Sequence, residues 1–112
     1  MVSGAALSID IIVPSGELWV FYNGWAKNGD DVTRVVNLYI LNSNNKQICW
    51  VGNASLNAGV DSPFPNRSGS YNLPAGLPVP LKAGWKIRFI FGSASGSGGT
   101  AEVSAIVEKF KV

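Results

Sequence analysis

Few side chains in this 112-residue chain could do chemistry, and the missing types decide much of the reading. Histidine is absent, which removes the general base of Ser-His-Asp and Cys-His catalysis and the commonest transition-metal ligand. Cys49 is the single cysteine, so the chain has the makings of neither an internal disulfide nor a structural zinc site. The acids are Asp10, Glu17, Asp30, Asp31, Asp61, Glu102 and Glu108. Asp30 and Asp31 are the one close pair; they follow Asn28-Gly29 and read as solvated residues of a hairpin turn. A calcium loop needs more oxygen ligands at ordered spacing. Glu102 with Glu17 is the pair a glycosidase would use, but both fall where strand faces should meet water. The small-residue run 92–99 lacks the lysine and hydroxyl of a phosphate loop, and no helix follows it. The expectation is a protein with no catalytic residues, no metal and no cofactor.

Binding chemistry is better represented. Trp19, Trp25, Trp50 and Trp85, with Tyr22, Tyr39 and Tyr71, offer ring faces that could stack on sugars. A sugar site also needs polar groups beside an exposed ring, and the candidates are Asn23 near Trp25, and Asn66 and Arg67 near Tyr71. Nucleic acid is disfavoured: the net charge is +2 and the bases are scattered. Trp85-Lys86-Ile87-Arg88-Phe89 interleaves bases with aromatics, yet on a strand the two bases share one face and the apolar residues the other. No apolar stretch approaches the roughly 20 residues that span a bilayer. Residues 1–7 lack the basic and apolar regions of a signal peptide, so synthesis in a cytoplasm is expected, and the glycosylation patterns at Asn53 and Asn66 carry little.

The elements that must carry these residues are strands. Ile9, Ile11 and Val13 alternate with Ser8 and Asp10, and Pro14-Ser15-Gly16 ends the run. Residues 17–27 (ELWVFYNGWAK) and 32–41 (VTRVVNLYIL) are rich in aromatic and β-branched types, with a hairpin expected at 28–31 between them. Asn42 to Asn45 turns the chain into 46–51. Residues 53–71 hold one or two short strands; 77–81, with Pro78 and Pro80, reads as an edge. Residues 85–91 and 100–110 complete the set, the last with Ala101, Val103, Ala105 and Val107 inward. About eight strands at short spacing without a helix predict a single domain over 1–112, an antiparallel β-sandwich of jelly-roll type.

Two strands carry apolar residues on both faces. In 17–27, Leu18, Val20 and Tyr22 oppose Trp19, Phe21 and Trp25; in 32–41, Val35, Tyr39 and Leu41 oppose Val32, Val36, Leu38 and Ile40. A sheet with one wet side should show polar residues there. Covering loops are one explanation; an interface, which suits the aromatic content and a charged fraction of only 14%, is the other. Trp25, Phe64, Tyr71 and Leu77, at strand ends or in the long loop, are the expected partner contacts.

Three segments resemble the small jelly-roll structural proteins of tailed bacteriophage virions, of the head decoration or cement type. They are the opening turn Val13-Pro14-Ser15-Gly16-Glu17-Leu18-Trp19, the proline-bearing stretch from Ser70 to Leu81, and the closing stretch from Leu81 to Phe89 with Ala101 to Phe110. The resemblance implies a homotrimer on the surface of a capsid, bound to the major capsid protein or another virion protein, with no catalytic residues to carry over. A carbohydrate- or host-receptor-binding β-sandwich, lectin-like in action, is the alternative.

Overall fold

Alternation in these segments pays off only where a sheet has one core side and one open side, and that is how the strands are used. The computed structural model describes residues 7–65, 78–92 and 101–112. Its strands are β1 (Leu7–Ile12), β2 (Glu17–Asn28), β3 (Arg34–Leu41), β4 (Gln47–Leu56), β5 (Asp61–Phe64), β6 (Val79–Leu81), β7 (Lys86–Gly92) and β8 (Ala101–Lys111). Two antiparallel sheets face each other, making a β-sandwich. One runs β1-β7-β3-β4. In the other, β8 lies along one side of β2 from Glu17 to Asn28, while β5 and β6 share the other side end to end.

Between the sheets lie Phe21, Phe64, Phe89, Phe91, Leu38, Ile40, Leu81 and Ile87, all fully buried. Phe64 meets Phe89 edge to face, with ring centroids 6.3 Å apart. Burying each such ring or branched side chain contributes about 1.5–3 kcal/mol against leaving it in water.

The strands fall close to their expected places, but the connections differ. Asn42–Asn45 does close a hairpin: Asn42 Oδ1 accepts from the amides of Asn44 and Lys46, and Asn45 takes φ 62°. Asn28–Asp31 does not. β2 and β3 belong to different sheets, so this segment crosses the sandwich instead of folding back on it. Asp30 is correspondingly not solvated. It is buried and paired with Arg34 across 2.6 Å. The last two strands also part: β7 lies beside β1 and β8 beside β2. In the nested winding of a jelly roll, the final strand pairs with the first and the penultimate with the second.

One local irregularity reassigns a whole face. The β2–β8 register shifts between Phe21 and Asn23, with Tyr22 the extra residue on β2. A bulge reverses the parity of everything beyond it. Trp25, expected beside Trp19 and Phe21, therefore points to the open side, and Gly24 and Ala26 take the core side.

Candidate binding face

The outer face of the β2 sheet is built by cross-strand register. Leu18 stands opposite Phe110, Val20 between Glu108 and Pro80, and Asn23 opposite Ile106. Trp25 lies between Ser104 and Pro63, and Lys27 between Glu102 and Asp61. Two aromatic groups on it are held by hydrogen bonds to carboxylates. Trp25 Nε1 donates to Asp61 Oδ2 at 2.7 Å, and the Tyr22 hydroxyl donates to Glu108 Oε1. That bond, with smaller contributions from desolvation and the carboxylate's charge, raises the Tyr22 phenol above its ordinary 10.0. These bonds satisfy the polar ends of both rings. Ile106 is 61% exposed, Phe110 46% and Tyr22 37%. Tyr22 and Trp25 can therefore bury apolar area against a partner without their own polar atoms going unmatched.

The other outer face is different in kind. Asp10, Arg88, Tyr39 and Trp50 form a row across all four strands of the β1-β7-β3-β4 sheet. Arg88 donates to both oxygens of Asp10, at 2.7 and 2.9 Å. Tyr39 and Trp50 stack at 6.4 Å, and Trp50 Nε1 donates to Asn37 Oδ1 at 3.2 Å. Asp10 and Arg88 are occupied with each other and stabilise the ladder, while Tyr39 and Trp50 lie half-buried beside Asn37, and Ile12, 53% exposed, stands on the same face.

The Asp10–Arg88 pair sets one pH response. The hydrogen bond from Arg88 holds the Asp10 carboxyl below its ordinary 3.8, against a smaller opposing effect of burial. A lowered carboxyl contributes stability above its unfolded value and loses it as pH falls through the folded value, so the loss here comes below 3.8. Asp10→Asn should therefore cost about 0.5 kcal/mol at neutral pH, and the cost should shrink as pH falls below 3.8, as read by urea unfolding on both sides of that value. A cost that persists undiminished in acid would show that the charge is not the cause.

Of the residues expected to make contacts, Trp25 sits on the open face, half-buried. Phe64 does not: it is 0% exposed, a core side chain whose ring packs on Phe89, so its place among the contacts is corrected. The strand pattern of β5 explains this, since Ser62 and Phe64 point inward while Asp61 and Pro63 point out. Tyr71 and Leu77 lie outside the described residues. Ile106 and Phe110 were missed, although parity reveals them: with Val103, Ala105 and Val107 inward, Ile106 and Phe110 must share the side of Glu102 and Glu108. The carboxylates of Glu17 and Glu102 stand at opposite ends of the β2–β8 ladder, with ten strand steps of about 3.3 Å between them. That separation rules out a two-carboxylate glycosidase pair, which needs roughly 5–9.5 Å. Among the described residues no cluster of three or more His, Cys, Asp or Glu could hold a metal. Cys49 is buried in the core, and desolvation raises its thiol.

Fold and faces together define a class: a β-sandwich whose two outer faces both set aromatic and apolar side chains among paired polar ones. No protein-family model, curated protein or solved structure matches the chain.

Proposed function

We propose that the protein is a non-enzymatic virion structural protein, a capsid decoration or cement protein that associates with itself and stabilises a phage head by binding across capsid subunits. The observation carrying this reading is the outer face on which exposed Tyr22, Ile106 and Phe110 join half-buried Leu18, Val20 and Trp25. Large apolar side chains grouped on one face of a small domain mark an interface. At about 25 cal/mol per Å², a joint burying about 300 Å² contributes roughly 7 kcal/mol before the costs of ordering. Repeated over a shell, such joints resist internal pressure. The protein would be made in the host cytoplasm and end on the outer surface of the particle, with the major capsid protein or another virion protein beneath it.

The test is occupancy on particles. Mass spectrometry of purified virions should find the wild-type chain in many copies. The double variant Trp25→Ala, Phe110→Ser should lose about 30-fold in affinity for particles, the size of a hot-spot loss of about 2 kcal/mol, while remaining folded. Virions without the protein, or full retention of the folded variant, would overturn the reading.

A second reading is favoured by the stacked Tyr39 and Trp50 beside Asn37, since paired rings flanked by an amide suit a sugar face. Selective micromolar binding on a glycan array, lost in Trp50→Ala, would move the function to a lectin-like module.

A further inference from the structure

Every free sheet edge presents unpaired amides and carbonyls, and proteins usually guard such edges with prolines, bulges, charges or short strands. The described edges show this guarding in three of four places. β5 and β6 carry Pro63 and Pro80, β4 pairs β3 through two register breaks, and β1 is only six residues long. β8 has none of the structural guards. It runs for 11 residues without proline, and its own backbone is continuous because the extra residue at the register shift lies on β2. Its charges are confined to Glu102, Glu108, Lys109 and Lys111, leaving Val103-Ser104-Ala105-Ile106-Val107 neutral. No described strand pairs its far side. Moreover, not one residue of β8 is buried, although Ala101, Val103, Ala105 and Val107 pack toward the core.

We propose that the free edge of β8 pairs antiparallel with β8 of a second copy, about a two-fold axis at Ile106. The strand itself indicates the register. Ile106 is the midpoint of Ala101–Lys111, so this axis pairs the whole strand, 101 with 111 through 106 with 106. It sets the 61%-exposed Ile106 against itself, Ser104 against Glu108 of the copy and Glu102 against Phe110 of the copy, with no like charges opposed. An axis at Ala105 would instead oppose Glu102 and Glu108. The result is one continuous sheet through both molecules, with their open apolar faces on the same side. Such a contact is isologous and closes at two copies, so it replaces the trimer implied by the resemblance. The inference rests on the self-association in the proposed function and not on the capsid.

Sedimentation of the full chain across a concentration series, with oxidative cross-linking, tests it. The wild type should be a dimer. Ile106→Lys, which brings two ammonium groups together at the axis, should weaken it by tenfold or more, about 1.4 kcal/mol by the standard conversion. Ser104→Lys should tighten it through Glu108 of the copy, an effect that mere structural damage does not produce. Ile106→Cys should cross-link copies rapidly under mild oxidation and Glu102→Cys should not; the native Cys49 is buried. Circular dichroism confirms that each variant is folded. A monomer at all concentrations overturns both the pairing and the self-association. A trimer overturns the two-fold pairing alone, as does a dimer in which Ile106→Cys fails to cross-link.

Discussion

Arg34→Ala should destabilise the fold by about 3–5 kcal/mol, because it removes the guanidinium that neutralises a buried carboxylate. The Arg34 and Asp30 side chains are 5% and 1% exposed. Arg34 donates through Nε to Asp30 Oδ2 at 2.8 Å and through Nη1 to the Phe91 carbonyl at 3.2 Å. Around them Asn28, fully buried, donates to the Val32 and Leu56 carbonyls and accepts from the Asp30 amide. This knot ties the ends of β2, β4 and β7 where the chain changes sheets. Domains of this size have only about 5–15 kcal/mol of stability, so the loss should lower the melting temperature by roughly 15 °C. Thermal and urea unfolding measure it. The double variant Asp30→Leu, Arg34→Met should be less damaged than the single one, because it removes both charges from the interior. A single-variant cost under about 1 kcal/mol would mean that water reaches Asp30.

That knot also marks the limit of what the residues reveal in order. Asn28-Gly29-Asp30-Asp31 is a hairpin pattern by local rules, since those types favour tight turns. Here the same side chains serve a crossing between sheets, because β3 finds its partners in β4 and β7, far along the chain. Local propensity cannot see such pairing. Strict alternation is legible where it occurs, as in β7, whose Ile87, Phe89 and Phe91 are buried while Lys86, Arg88 and the apolar Ile90 lie half-buried on the other side. The binding face was legible in part. Apolar residues on both sides of β2 announced that its outer face would not be purely polar. The bulge at Tyr22 then carried Trp25 to that face, and a bulge leaves no periodic trace because it is a break in the period. Phe64 was misplaced for another reason. Pro63 and Pro65 suggest a loop, yet residues 61–64 pair with β2 and send every second side chain inward.

Gly24→Val should cost about 3 kcal/mol, and Gly24→Ala about 1–2 kcal/mol. The cause is room, not backbone freedom. A Cβ on Gly24 would lie 2.7 Å from Leu38 Cδ2 and 3.1 Å from Phe89 Cζ. Both neighbours are fully buried and cross from the opposite sheet, and Phe89 is further held by Phe64. Leu38 can change rotamer only by entering space already filled by the rest of the core. The glycine exists because the bulge turned this position inward; without that shift, Asn23 would occupy it and a larger residue at 24 would face water. The prediction therefore tests the register as well as the packing. Urea midpoints should fall in the order wild type, alanine, valine, and Leu38→Ala should partly relieve Gly24→Val by opening space beside it. A valine variant as stable as the wild type would place residue 24 on the open face and return Trp25 to the core, which removes the apolar face on which the proposed binding rests.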